Sequence, residues 1–229
     1  MDLIWLKETA CPVCNVKFQV ENVRQNKLMQ VQVDEDFHAH FDPISPLYYA
    51  MTVCPDCFYS ERKQSFEELK GKPLAAVRSG MGSLKQLSGG FNFRLIRTFE
   101  LALKSFELGA LTVQLKAESS DVIGGMYLRA SWLCRESGDE KLEAVYLKKT
   151  LEYYEKAYMN ESTEFGQLGS CGFQYMLGEI YRRLGNEPKA MELFMRAVAN
   201  KEIKTKPQVE RLAREQLSAL KAKLKVPAG

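Results

Sequence analysis

Cys11-Pro-Val-Cys14 and Cys54-Pro-Asp-Cys57 are two Cys-x-x-Cys units, each with proline directly after its first cysteine. A two-residue spacer lets one tight turn present both sulfurs to the same ion. Two such turns supply the four soft ligands of a tetrahedral zinc site. Cys11, Cys14, Cys54 and Cys57 are therefore read as one zinc site. It is structural, because all four ligands come from the protein and no position is kept for water. A thioredoxin-type redox role for either unit would need a helix N-terminus behind the first cysteine to lower its pKa. The sequence after Cys14 reads as strand.

Working outward, Val16, Phe18 and Val20 alternate with Lys17, Gln19 and Glu21, the period of a half-buried strand. Met29, Val31 and Val33 alternate with Gln30 and Gln32 and are its expected hairpin partner. An irregular acidic stretch, Asp34 to Pro46, carries His38 and His40 among Asp34, Glu35, Asp36 and Asp42. It reads either as an additional metal site or as a solvated turn region, and either histidine could replace a knuckle cysteine. Met51 to Val53 then delivers the second unit. The 39 residues between Cys14 and Cys54 exceed the usual ~15–20 for such sites; the hairpin and the acidic loop account for the excess.

From Ser60 the period changes. Ser60 to Leu69 reads as a capped helix stopping near Gly71, and Leu74 to Leu87 as a weaker one interrupted by Gly80 and Gly82. Ser88-Gly89-Gly90 is the best boundary. Beyond it, apolar faces recur at three and four: Ile96, Phe99, Leu103 and Phe106; Tyr127, Ala130 and Cys134; Leu147, Leu151, Tyr154 and Tyr158; Phe173, Leu177, Ile180 and Leu184; Ala190, Phe194 and Ala197; Val209 through Leu224. Leu177-Gly178, Tyr181, Gly185, Ala190, Phe194 and Ala197 follow the tetratricopeptide pattern. An earlier copy runs from Leu133 through Gly138 to Ala144. The two turn glycines, Gly138 and Gly185, lie 47 apart against the standard period of about 34, so the repeats are lengthened, with an inserted loop.

The expected fold is α+β, mainly α. A zinc-ribbon-like β head (1–60) and a helical linker (61–90) precede a tetratricopeptide-like helical hairpin array (91–229), which ends in a capping helix. Array proteins bind through the concave face lined by the first helix of each pair. On this register Leu128, Trp132, Arg135, Tyr175, Glu179 and Arg182 face that groove, and Trp, Tyr and Arg are the types that anchor interfaces.

The two knuckles, Asp36-Phe37, the loop Ser45-Pro46-Leu47-Tyr48-Tyr49 and Val53 through Tyr59 together resemble the bacterial domain-of-unknown-function 2225 family. Its pattern is an asparagine–proline–x–tyrosine–tyrosine loop followed by CPxCGYA. The resemblance spans nearly the whole chain, since that family also continues into tetratricopeptide-like helices, and it implies no assigned activity. Ser45 stands where asparagine is common, and Phe58-Tyr59-Ser60 replaces glycine–tyrosine–alanine. Glycine there eases a left-handed turn; Phe58 must make it under strain or the turn differs.

Among 229 residues, 45% are hydrophobic and 27% charged, ordinary for a globular protein. A net charge of +3 does not suit a dedicated nucleic-acid binder. From Lys201 onward eight Lys/Arg stand against three Glu: the solvated face of a capping helix or, alternatively, a patch for nucleic acid used with the ribbon. No apolar run has the ~20 residues of a membrane span. The start, Met1 to Glu8, lacks the basic and long apolar regions of a signal peptide. The expectation is a cytoplasmic protein, where disulfides are rare. Cys134 and Cys171 read as buried small hydrophobes. No Ser/His/Asp set or P-loop ending is legible. The leading functional reading is a non-enzymatic protein- or peptide-binding module with structural zinc; thiol sensor or enzyme is a further alternative.

Overall fold

The structure is a computed structural model that describes residues 3–94, 96–160 and 168–225. The chain folds into short antiparallel hairpins followed by eight α-helices and no further strand among the described residues. β1 (Ile4–Ala10) pairs with β2 (Lys17–Val23) from Ile4↔Val23 to Ala10↔Lys17. β3 (Met29–Val33) pairs with β4 (Ala39–Asp42), with a register shift between Gln30 and Gln32. β5 (Met51–Val53) pairs with β6 (Ser60–Arg62).

The strand over 16–20 is present, but its expected partner is not. β2 takes β1, and the 29–33 strand turns back on β4. The reason lies in faces: Phe18 and Val20 are buried beneath β2 while Met29, Val31 and Val33 are all exposed. Period two in 29–33 therefore marks extended backbone without a buried side. In β1 only Thr9 is buried, and Trp5 and Leu6 face outward.

The expected helix from Ser60 to Leu69 is also corrected. Ser60–Arg62 is β6, and only Phe66–Glu68 forms a single 3-10 turn. Cys54 N–H donates to Tyr59 C=O at 2.9 Å, closing the knuckle and sending the chain back along β5. Buried Ser60 donates to the Ser105 carbonyl at 2.8 Å, which anchors that return strand. Tertiary bonding overrides the capping signal. Gly71, expected as a helix stop, instead opens α1 (Gly71–Ser79), and α2 (Met81–Ser88) ends at left-handed Gly89.

α3 (Phe99–Leu115) begins at Thr98, whose Oγ1 accepts from Leu101 N–H at 3.3 Å. Ile96 lies outside it and is 77% exposed, so the expected face starts three residues too early. α4 (Ser120–Glu136) and α5 (Glu140–Asn160) form one helical hairpin, α6 (Gly169–Arg183) and α7 (Glu187–Ala199) a second, and α8 (Pro207–Lys225) packs on α6 and α7. Both hairpins turn alike: Gly138 (φ 76) and Gly185 (φ 80) are left-handed. Asp139 N–H reaches back to Cys134 C=O and Asn186 N–H to Tyr181 C=O, the six-to-one bond of a Schellman cap. Gly178 is small of necessity, since a Cβ there would sit 2.7 Å from the Phe194 ring. The insert expected between the pairs falls on 161–167, outside the described residues, as does the Leu224 side chain.

Two cores follow the helical array. Leu128, Leu147, Tyr175, Leu177, Phe194 and Leu217 belong to the cluster of α4–α8. Phe106, Ile123, Leu133 and Tyr146 join α3, α4 and α5 around Met51. The third core sits in the head and draws in Val77 of α1, Leu84 of α2 and Leu108 of α3.

Candidate metal centre

Each Cys-x-x-Cys unit is the tip of a hairpin: the first joins β1 to β2, the second β5 to β6. The two tips are built alike. Cys11 C=O accepts from Asn15 N–H at 2.8 Å, and Cys54 C=O accepts from Phe58 N–H at 3.0 Å. Cys11 N–H donates to Val16 and Cys54 N–H to Tyr59, both at 2.9 Å. Closing this turn requires a left-handed residue after the second cysteine. Asn15 (φ 64) and Phe58 (φ 61) both adopt it. Asparagine tolerates the region; phenylalanine is held there while its ring packs edge-on against Phe93.

The four sulfurs converge. Cys11 Sγ lies 3.6 Å from Cys57 Sγ, Cys14 Sγ lies 3.5 Å from Cys54 Sγ, and all four fall within 4.8 Å of one another. Sulfurs bound at ~2.3 Å on a tetrahedron stand ~3.8 Å apart, so the set fits a four-thiolate metal ion with only small adjustment. Cys11, Cys54 and Cys57 are buried and Cys14 is exposed. Phe66, Leu69, Val77 and Leu84 surround the cluster, and Arg78 of α1 donates to Val13 C=O at 3.1 Å.

Electrostatics favours a cation here. Hydrogen bonds from the Cys54 and Cys57 thiols draw Cys11 down to about 4. Donating to Cys11 pushes both Cys54 and Cys57 up, and burial adds to it. A divalent ion would deprotonate its ligands together. Neither tip leads into a helix, so the low Cys11 value comes from neighbouring sulfurs and not from a helix dipole.

His38 and His40 do not join this site. They lie on the β3–β4 hairpin, with His38 Nε2 3.0 Å from Glu136 Oε1 and His40 Nε2 2.9 Å from Asp34 Oδ2. Glu136, at the end of α4, escapes sequence reasoning because only the tertiary fold brings it to residue 38.

The groove residues do converge, and what they hold is the chain's own acidic turn. Arg135 makes a bidentate pair with fully buried Asp36 at 2.7 and 3.0 Å and reaches Asp34 at 2.7 Å. Trp132 Nε1–H donates to Asp36 at 3.0 Å, and its indole stacks on His38 with centroids 4.9 Å apart. Tyr175 O–H donates to Glu35 C=O at 2.8 Å. Arg182 pairs with buried Glu179 of its own helix at 2.6 Å, and Leu128 is core. Residues 34–38 of the chain itself thus lie against Trp132, Arg135 and Tyr175, and Trp132 also faces the cavity described below. Burial raises the pKa of both aspartates, yet hydrogen bonds from His40 and Arg135 hold Asp34 at about 2. Arg135 likewise keeps Asp36 below the usual carboxylate value.

Cys134 and Cys171 are wholly buried. Burial pushes Cys134 up to about 12 and Cys171 upward too, which suits inert thiols. Around the basic C-terminal helix four cations are paired: Arg211 with Glu215, Arg214 and Lys204 with Glu210, Lys223 with Glu187. Among the described residues no helix is long and apolar enough to cross a membrane. An open cavity of about 870 Å³ lies beside the hairpin. Aromatic Phe41, Tyr49 and Trp132 and cationic Arg62, Lys63 and Arg129 are in its wall, which holds no carboxylate among the described residues.

Comparison with curated proteins and with solved structures gives no match. The family described as "Uncharacterized protein conserved in bacteria (DUF2225)" matches residues 4–220, and the chain belongs to that family.

Proposed function

We propose that this chain is a non-enzymatic, cytoplasmic binding module. One structural zinc closes its head, and its tetratricopeptide-like helical pairs form the platform. The observation that carries the reading is the convergence of Cys11, Cys14, Cys54 and Cys57 from two hairpin tips into one sphere. Four thiolates fill a tetrahedron and leave no place for substrate water, so the ion stabilises structure. The test is metal content of the native protein and of Cys11→Ser and Cys54→Ser. A thiolate-bound zinc present in the native chain and lost in both variants supports the reading; zinc still held by sulfur in either refutes it.

The partner is a peptide segment carrying acidic and aromatic side chains, and its seat is the cavity beside the β3–β4 hairpin. Charge complementarity supports this occupant. Burial holds Arg129 below its ordinary pKa, with the nearby Arg62 cation contributing, while Arg129 donates to the Gly125 carbonyl and lies over the Trp132 ring. Such a cation gains when a carboxylate arrives. Random displayed peptides selected on the zinc-loaded protein should be enriched in Asp/Glu beside Phe/Tyr/Trp, and Arg62→Glu/Lys63→Glu should abolish the enrichment. No enrichment, or enrichment indifferent to that change, contradicts the seat.

A further inference from the structure

A second cluster of metal-ligating side chains lies at the junction of hairpin and helices, apart from the thiolate site. His38 lies just before β4 and His40 within it, and the two rings sit side by side. Their rings stand 4.3 Å apart. Glu136 reaches the same place from the last turn of α4. One ligand atom from each of the three residues falls within 4.8 Å of the other two.

Three details point to a ligand. The His38 side chain is 3% exposed, and its Nε2 is 3.0 Å from Glu136 Oε1. Yet this nitrogen makes no hydrogen bond, because it lies off the axis such a bond requires. A buried polar nitrogen aimed beside a carboxylate without bonding it is costly unless something shares both lone pairs. Cis ligands held at ~2.1 Å on an octahedron stand ~3.0 Å apart, which matches that separation. Second, His40 gives Nε2–H to Asp34, itself gripped by Arg135, which leaves the His40 lone pair on Nδ1. A carboxylate behind an imidazole is the usual outer support of a metal-binding histidine. Third, Ser45 Oγ–H donates to Glu136 Oε1 at 2.9 Å and fixes the carboxylate.

The charges agree. Asp34, Asp36, Glu136 and Glu143 meet Arg135 and Arg183 in this junction. Glu35 and Glu179 also pair with Arg183, and Arg182 with Glu179, so carboxylates outnumber guanidiniums around the cluster.

We infer that His38, His40 and Glu136 form a second site for a divalent transition metal. Two imidazoles and one carboxylate suit the borderline ions, from iron(II) and cobalt(II) to nickel(II) and zinc, and leave coordination positions open. Metal there would pin the hairpin to the end of α4. The alternative is a plain His–Glu and His–Asp ion-pair junction, and metal binding separates the two.

The probe is cobalt(II) added to protein whose thiolate site is already saturated with zinc. One further equivalent should bind and show the weak ligand-field bands of nitrogen and oxygen ligation, without thiolate charge transfer. His38 is stacked under Trp132 and its removal risks misfolding, so partly exposed His40 carries the test. His40→Ala should abolish the second equivalent while keeping zinc. Asp34→Asn, which removes the carboxylate behind His40 together with one partner of Arg135, should weaken cobalt binding on the order of 10–100-fold. Uptake of no second equivalent by the native protein overturns the inference, and so does unchanged uptake by His40→Ala.

Discussion

Phe58 and Asn15 occupy the same place in two knuckles, and their backbones are forced into the same left-handed well. A non-glycine residue there costs ~1–2 kcal/mol, least for asparagine. Replacing exposed Asn15 by valine should therefore lower the unfolding free energy of the zinc-loaded protein by about 1–2 kcal/mol, whereas Asn15→Gly should change little; denaturant titration reads both. The strain at Phe58 was legible as soon as the knuckle was, because the turn demands it whatever the side chain. Asp36 was not legible. Nothing about one aspartate among several in residues 34–42 marks it as the fully buried partner of Arg135 and Trp132. Its replacement by alanine removes the bidentate partner of Arg135 and the acceptor of Trp132 Nε1–H, leaving Asp34 and Glu143 on the guanidinium, and should cost about 1–3 kcal/mol, measured in the same way.

At the scale of elements, the β3–β4 hairpin is held by charge more than by apolar area, since the β3 residues Met29, Val31 and Val33 are exposed. That dock has a pH dependence of known sign. Asp34 and Asp36 have folded pKa values below the unfolded value of ~3.9. Their stabilisation is present above that value and is lost as pH falls toward about 2, the folded Asp34 value. In a Trp5→Phe background, Trp132 fluorescence should change over that interval, and Asp34→Asn should remove part of the change; a profile flat from pH 5 to about 2 would contradict the dock. The long helices were readable because their apolar faces persist for three turns or more. β1 was hidden because its alternation buries little beyond Thr9. β6 was read as helix because Ser60 and Glu61 imitate a cap while the second knuckle compels a hairpin.

For the whole molecule, the head is not an appendage of the helices. Sulfur ligands, β2, α1, α2 and Leu108 of α3 share one core, and Glu61 of β6 pairs with Lys116 just after α3 at 2.5 Å. Removing the ion should loosen β1, β2 and the α1–α2 segment together, while α4–α8, which have their own core, retain their helical signal. Chelation followed by limited proteolysis checks this: early cuts should fall before residue 90, and cuts distributed evenly through α4–α8 would contradict it.

The most direct measurement is zinc-edge X-ray absorption on the native protein carrying one equivalent of zinc. The account predicts four sulfur neighbours at ~2.3 Å, reduced in number when Cys14 or Cys57 becomes serine. A first shell dominated by nitrogen or oxygen, or one unchanged by those substitutions, would contradict it.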